Sequence, residues 1–194
     1  MGPGELEEEG PRPLKVRAFF GLPVPEPQRG ELAPFLRACV QTAPDFRWTP
    51  NENLHLTIRF IGSIDRALLT SVADTLALRP LGAFDVELGE VGTFGRGRAA
   101  RVVWIGLRNG REGAAALAAQ VEQECARAGL PAESRPYQAH LTLARARARD
   151  GAKLPELPAL PRLKPWRSDA LVLYASRLTR TGAVYEALRA LELA

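Results

Sequence analysis

Two histidines, His55 and His140, are the only imidazoles in the 194-residue chain, and each opens the same phrase: HLTI at 55–58 and HLTL at 140–143. In an extended strand, residues i and i+2 share a face. His55 therefore stands beside Thr57, and His140 beside Thr142, while Leu56, Ile58, Leu141 and Leu143 point the other way. Each strand offers an acid/base group with a hydroxyl next to it. If the two strands present these faces to one opening, two imidazoles and two hydroxyls converge. That set suits in-line hydrolysis of a phosphodiester without a metal. One imidazole takes a proton from water, and the other, protonated, gives its proton to the leaving oxygen. The hydroxyls hold the non-bridging oxygens as charge develops. A strained cyclic phosphate is a fitting substrate, because its leaving group stays tethered and only one water has to be positioned.

Other readings of the same residues are open. A single such histidine is ordinarily a satisfied residue on a half-exposed strand; two matched copies favour a shared task. The chain has no HxH or HExxH spacing for a metal, so no metal site and no cofactor is expected. No GxSxG is present and neither cysteine neighbours a histidine, which disfavours a nucleophilic triad. GRGRAA (95–100) formally fits a dinucleotide-binding glycine pattern, but a strand follows it where a helix is required, so it reads as a hairpin loop.

The elements that must position the two motifs follow from periodicity. A strand is expected at 16–22, a helix at 28–42 with Leu32, Phe35, Leu36 and Cys39 on one face, and a strand at 54–62. Ser63 or Asp65 can cap a helix at 67–78. Strands at 84–90 and 101–107 flank the glycine-rich segment 92–100. An alanine-rich helix at 112–128 stops at Gly129, and a strand follows at 139–144. Residues 145–168 are basic, proline-rich and aperiodic, and two further ordered segments at 170–176 and 184–191 close the chain. LHLTIRF and AHLTLAR carry nearly the same text 85 positions apart, each downstream of a helix. This predicts an α+β fold of two pseudo-symmetric lobes of antiparallel sheet with helices. Residues 1–14 are expected to form a disordered acidic tail, and 15–194 a single bilobal domain.

Composition narrows the functional class. The chain is 46% hydrophobic and 25% charged, and no apolar run approaches the roughly 20 residues that span a bilayer. The first ten residues hold four glutamates where a secretory signal needs cations, and Cys39 and Cys125 are too few for a disulfide framework. A cytoplasmic protein with no membrane partner is expected. Residues 11–194 carry all 26 Lys and Arg against 18 of the 22 carboxylates, a body charge of about +8 that suits a polyanionic partner. All but three of those cations are arginines, whose planar fork matches phosphate oxygens. Seven basic residues lie between Arg145 and Ser168, placed to steer an RNA backbone or simply to solvate a loop.

HLTI and HLTL, together with ENLHLTIRFIG, ARVVWIGL, RPYQAHLTLAR and LVLYASRL, resemble segments carried in the same order by the two-histidine phosphoesterase superfamily. Within it, the similarity is to the RNA 2',3'-cyclic phosphodiesterases, also called 2'-5' RNA ligases, and covers about residues 15–190. The resemblance implies a bilobal α+β fold with one HxTx motif per lobe facing a central cleft. It also implies that His55 is the general acid (proton donor) and His140 the general base (proton acceptor), and that the product carries a 2'-phosphate. The expected partner is RNA ending in a 2',3'-cyclic phosphate, with the enzyme acting as a monomer; RNA-end binding or 2'-5' ligation is the alternative. Thr57, Thr142 and Arg145 are the expected substrate-binding residues. Arg145 matches a basic residue that follows the second motif in the family. Strict alternation, however, puts Arg145 with Leu141 and Leu143 on the face opposite His140, unless the strand ends or bulges after Leu143. The same count puts Arg59 on the His55 face. Tyr137 is read either as a base-stacking platform or as a core aromatic.

Overall fold

The computed structural model describes residues 15–179 and 182–194; the expected acidic tail at 1–14 lies outside them. Among the described residues ten strands and three α-helices follow in the order β1 (Lys15–Pro23), α1 (Glu26–Thr42), β2 (Phe46–Trp48), β3 (His55–Asp65), α2 (Arg66–Ala77), β4 (Phe84–Arg96), β5 (Ala99–Asn109), α3 (Arg111–Arg127), β6 (His140–Ala146), β7 (Ala152–Lys153), β8 (Trp166–Ser168), β9 (Ala170–Leu178) and β10 (Ala183–Glu192). All strand pairs are antiparallel, in the order β10-β9-β1-β3-β6-β5-β4-β8, with β2 beside β6 and β7 beside β5.

That order is palindromic about the junction of β3 with β6. In chain order one repeat runs β1-α1-β3 and the other β5-α3-β6. The internal repeat is stricter than the histidine phrases alone suggest: α1 and α3 are both 17 residues long, and the start of α3 follows that of α1 by the same 85 positions. β3 and β6 meet in the ladder through a single residue pair, Leu56 opposite Leu141, both fully buried. Leu56, Ile58, Leu141 and Leu143 enter one apolar core shared with Leu32, Leu36 and Cys39 of α1, Leu69 and Leu76 of α2, and Leu117 and Val121 of α3. The helices thus cover one face of a curled sheet and leave the other open.

Local signals explain most boundaries. The Asp65 carboxylate accepts from the Ala67 and Leu68 N–H groups and starts α2. Gly129, at φ +78°, ends α3. The segment read as a glycine-rich loop is instead mostly strand: β4 runs to Arg96, β5 begins at Ala99, and only Gly97 and Arg98 form the turn. The aperiodic stretch 145–168 contains two short strands, β7 and β8, too brief to show a period. Cys39 and Cys125 are free and buried, and burial pushes both thiols up to about 11. Among the described residues no helix is long and apolar enough to cross a membrane.

Because Leu56 and Leu141 face each other, fully buried, at the single ladder pair between β3 and β6, Leu56→Ala or Leu141→Ala is expected to lower unfolding free energy by about 2–5 kcal/mol. The double variant should cost less than the two losses added, because the second truncation enlarges a cavity already present. Urea titration of the three variants checks this.

Candidate active site

The Leu56–Leu141 pair sets everything beside it. With those leucines directed into the core, His55 and Thr57 on β3 and His140 and Thr142 on β6 stand on the open face, all four half-buried. Each imidazole is fixed the same way. Nδ1 of His55 lies 2.7 Å from the Asn53 carbonyl oxygen and Nδ1 of His140 lies 2.7 Å from that of Gln138, in both cases two residues upstream. A carbonyl only accepts, so Nδ1 carries hydrogen in both rings and Nε2 is the nitrogen free to gain or lose a proton. In the neutral ring, Nε2 of His55 accepts from the Thr57 hydroxyl, 3.2 Å away.

Aromatic side chains wall each ring. Phe19 stacks on His55 with centroids 4.6 Å apart at 30°, Tyr185 meets it edge-on at 5.2 Å, and Tyr174 lies at 6.1 Å. On the other lobe, Phe94 meets His140 edge-on at 5.1 Å and Trp104 lies at 6.2 Å. Gly21 makes room for the first cluster: a Cβ there would sit 3.2 Å from His55 Cδ2. Gly92 does so for the second, since a Cβ would fall 2.4 Å from two atoms of the Trp104 ring. This packing sets the protonation of both rings. Burial lowers the His55 pKa to about 4, against the pull of the Asn53 carbonyl and with help from the Arg145 and His140 charges. Burial also lowers that of His140, opposed by the Gln138 carbonyl and reinforced by Arg145.

Arg145 therefore faces the histidines, and a β-bulge is the reason. Along β5 and β6 the register runs Val102–Arg145 and Val103–Ala144, then jumps to Trp104–Thr142, leaving Leu143 as the extra residue. Leu143 and Ala144 are both buried, alternation reverses, and Arg145 emerges on the His140 face. The other lobe has the same device 85 residues earlier. There Phe20–Arg59 is followed by Gly21–Thr57, so Ile58 is the extra residue. Its effect on Arg59 is the opposite of the expectation. Arg59 turns inward and is 9% exposed. It donates to the carbonyls of Phe60 and Pro131 (2.7 and 2.6 Å) and pairs with Glu122 and Glu133. Phe60 takes the open face in its place, 41% exposed, with the Arg17 guanidinium 4.8 Å above its ring.

Tyr137 is not an open platform. It packs against the core, its hydroxyl donates to the Thr57 carbonyl at 3.3 Å, and burial raises its pKa. The aromatic walls were not read from the sequence. Their only signal is the matched pair of phrases Phe19-Phe20-Gly21-Leu22 and Trp104-Ile105-Gly106-Leu107, again 85 apart. Among the described residues no three His, Cys, Asp or Glu side chains cluster so as to hold a metal ion. What the site brings together is two imidazoles with outward Nε2 atoms, two hydroxyls and one guanidinium.

The chain is similar to proteins of known function and structure. The RNA 2',3'-cyclic phosphodiesterase of Aeropyrum pernix is 31% identical over 168 residues, spanning 82% of this chain and 93% of that protein. The enzyme of that name from Methanocaldococcus jannaschii is 26% identical, spanning 90% and 99%. The crystal structure of Escherichia coli LigT complexed with 3'-AMP superposes with a TM-score of 0.75 at 25% identity, covering 92% of this chain and 98% of that one. The crystal structure of a Thermus thermophilus protein superposes with a TM-score of 0.76 at 26% identity, covering 92% and 98%. The family model described as LigT like phosphoesterase matches twice, at residues 22–104 and 105–185, one copy per histidine motif. Two copies of that model, each holding one HLT strand, account for most of the chain, which belongs to the LigT-like phosphoesterase family.

Proposed function

We propose that residues 15–194 act as one bilobal unit that hydrolyses terminal 2',3'-cyclic phosphates of RNA to 2'-phosphomonoesters, without a metal. The observation that carries this reading is the matched pair of imidazoles, each pinned at Nδ1 by the carbonyl two residues upstream and presenting Nε2 on the same open face. The names of the relatives supply the substrate class.

His140 is the base. Its lowered pKa leaves Nε2 unprotonated at neutral pH, ready to take a proton from the attacking water. The water oxygen bonds to phosphorus in line with the 3'-oxygen, the P–O3' bond breaks, and His55 Nε2 gives its proton to that oxygen. The phosphate stays on O2'. His55 must first acquire the proton, and an anionic phosphodiester between the rings favours its charged form, offsetting the burial that disfavours it. Thr57 and Thr142 donate to the non-bridging oxygens, and the Arg145 guanidinium supplies the fixed positive charge. As His55 becomes protonated, Thr57 exchanges its bond to Nε2 for one to phosphate.

His55→Ala and His140→Ala are each expected to lower turnover at least about a hundredfold with the folded spectrum unchanged, and turnover should survive EDTA. The assay is incubation of an oligoribonucleotide with a cyclic-phosphate end, followed by identification of the terminal phosphate. An intact cycle would indicate an RNA-end binder, a 2'-5' linkage to a second strand would indicate ligation, and loss in EDTA restored by one divalent ion would sink the two-imidazole mechanism.

The pH dependence has a definite sign. Both histidines of the free enzyme titrate below the ordinary 6.5. The profile of kcat/KM, which reports the free enzyme, should therefore peak on the acid side of 6.5 and fall as pH rises toward 8. The profile of kcat should lie at higher pH, because bound phosphodiester raises both values. A kcat/KM that climbs between pH 6.5 and 8 would contradict these assignments.

A further inference from the structure

β6 has two neighbours along one edge. β3 meets it at Leu141 and β2 meets it farther on, where Phe46, Arg47 and Trp48 pair with Ala146, Arg145 and Ala144. Residues directly opposite in an antiparallel pair share a face. Arg47 therefore stands next to Arg145 on the histidine side, and Phe46 and Trp48, both buried, confirm the alternation. On the other side of Arg145 the same row continues with the uncharged Val102 of β5. Two exposed guanidiniums thus lie side by side, with Cα atoms about 5 Å apart. Like charges in that position repel. Among the described residues neither is ion-paired with a carboxylate, so no protein anion separates the two charges. Such a pair is completed by an anion from outside.

The position says which anion. Arg145 follows Thr142 by three residues, roughly 10 Å along the strand, and its charge acts on both histidines. Arg47 is level with Arg145 on the neighbouring strand, and its charge, unlike that of Arg145, is not among those acting on either histidine. A cyclic mononucleotide has a single phosphate and leaves Arg47 without a contact. An RNA chain brings a second, the phosphodiester joining its last two nucleotides. We propose that Arg47 is a specificity-determining residue that binds this penultimate phosphate and makes the enzyme select RNA chains over free cyclic nucleotides. The assignment rests on the hydrolytic reading above.

The test compares a 2',3'-cyclic mononucleotide with a short oligoribonucleotide of the same terminal base and cyclic end, using wild-type protein, Arg47→Gln and Arg47→Lys. Arg47→Gln should lower kcat/KM on the oligonucleotide about tenfold, chiefly through KM, and change the mononucleotide value less than about twofold. In the same variant the slope of log kcat/KM against log salt should fall by about one for the oligonucleotide only. Arg47→Lys should keep the salt slope and recover part of the rate. Equal loss on both substrates in both variants would make Arg47 a structural prop and overturn the proposal, as would no loss on either. If wild-type protein leaves both cycles intact, the hydrolytic reading fails by itself. The comparison is then read on affinity for an oligoribonucleotide ending in a 2'-phosphate, where an Arg47→Gln affinity equal to wild type overturns the role of Arg47.

Discussion

One cross-strand contact, Leu56 against Leu141, governs the geometry of this molecule. It is the single ladder pair that joins β3 to β6, and its register decides which side chains of those two strands enter the core. Side chains alternate with a period of two, so a slip of one residue at this pair would bury both histidines and both threonines and expose the leucines. The apolar cost of that slip, several fully buried side chains on each lobe, holds the reactive groups on the open face. Packing energy, more than any contact among the polar groups, is what brings the two imidazoles together.

The polar groups are then refined locally. Each histidine borrows a carbonyl from its own chain two residues upstream, so ring orientation and tautomer do not depend on the distant lobe. The aromatic walls work in the opposite direction. Phe19, Tyr174 and Tyr185 come from three strands, Phe94 and Trp104 from two more, and together they exclude water from the rings and depress both pKa values. Arg145, whose charge acts on both rings, pushes the same way. The free enzyme therefore rests with neutral rings beside a cation, electrostatically prepared for an anion.

What could be read from the sequence follows the range of each interaction. The α+β class, the helices, the main strands and the pairing of each histidine with a threonine depend on periods of 2 and 3.6 within single segments, and these were legible. The exchange of Arg59 and Arg145 was not. HLTIRF and HLTLAR look like uninterrupted alternation, yet Ile58 and Leu143 are each the extra residue of a bulge. A bulge is a property of two strands in register, with no marker in either one. The aromatic walls and the β2–β6 pairing that sets Arg47 beside Arg145 come from residues far apart in sequence, and short strands such as Phe46–Trp48 show too few residues for a period.

The pair of bulges also breaks a symmetry. Two HLT strands related by a near two-fold axis would form a site with no preferred direction, able to take a phosphodiester equally well either way round. The positions just past the bulges are where the halves differ in kind: Arg145 emerges on one lobe and Phe60 on the other, five residues after the respective histidines. One end of the cleft is cationic and the other offers an exposed ring under a guanidinium. A duplicated scaffold thereby acquires polarity just past its two bulges. On the proposed reading, polarity is what separates one histidine that only gives a proton from a second that only takes one.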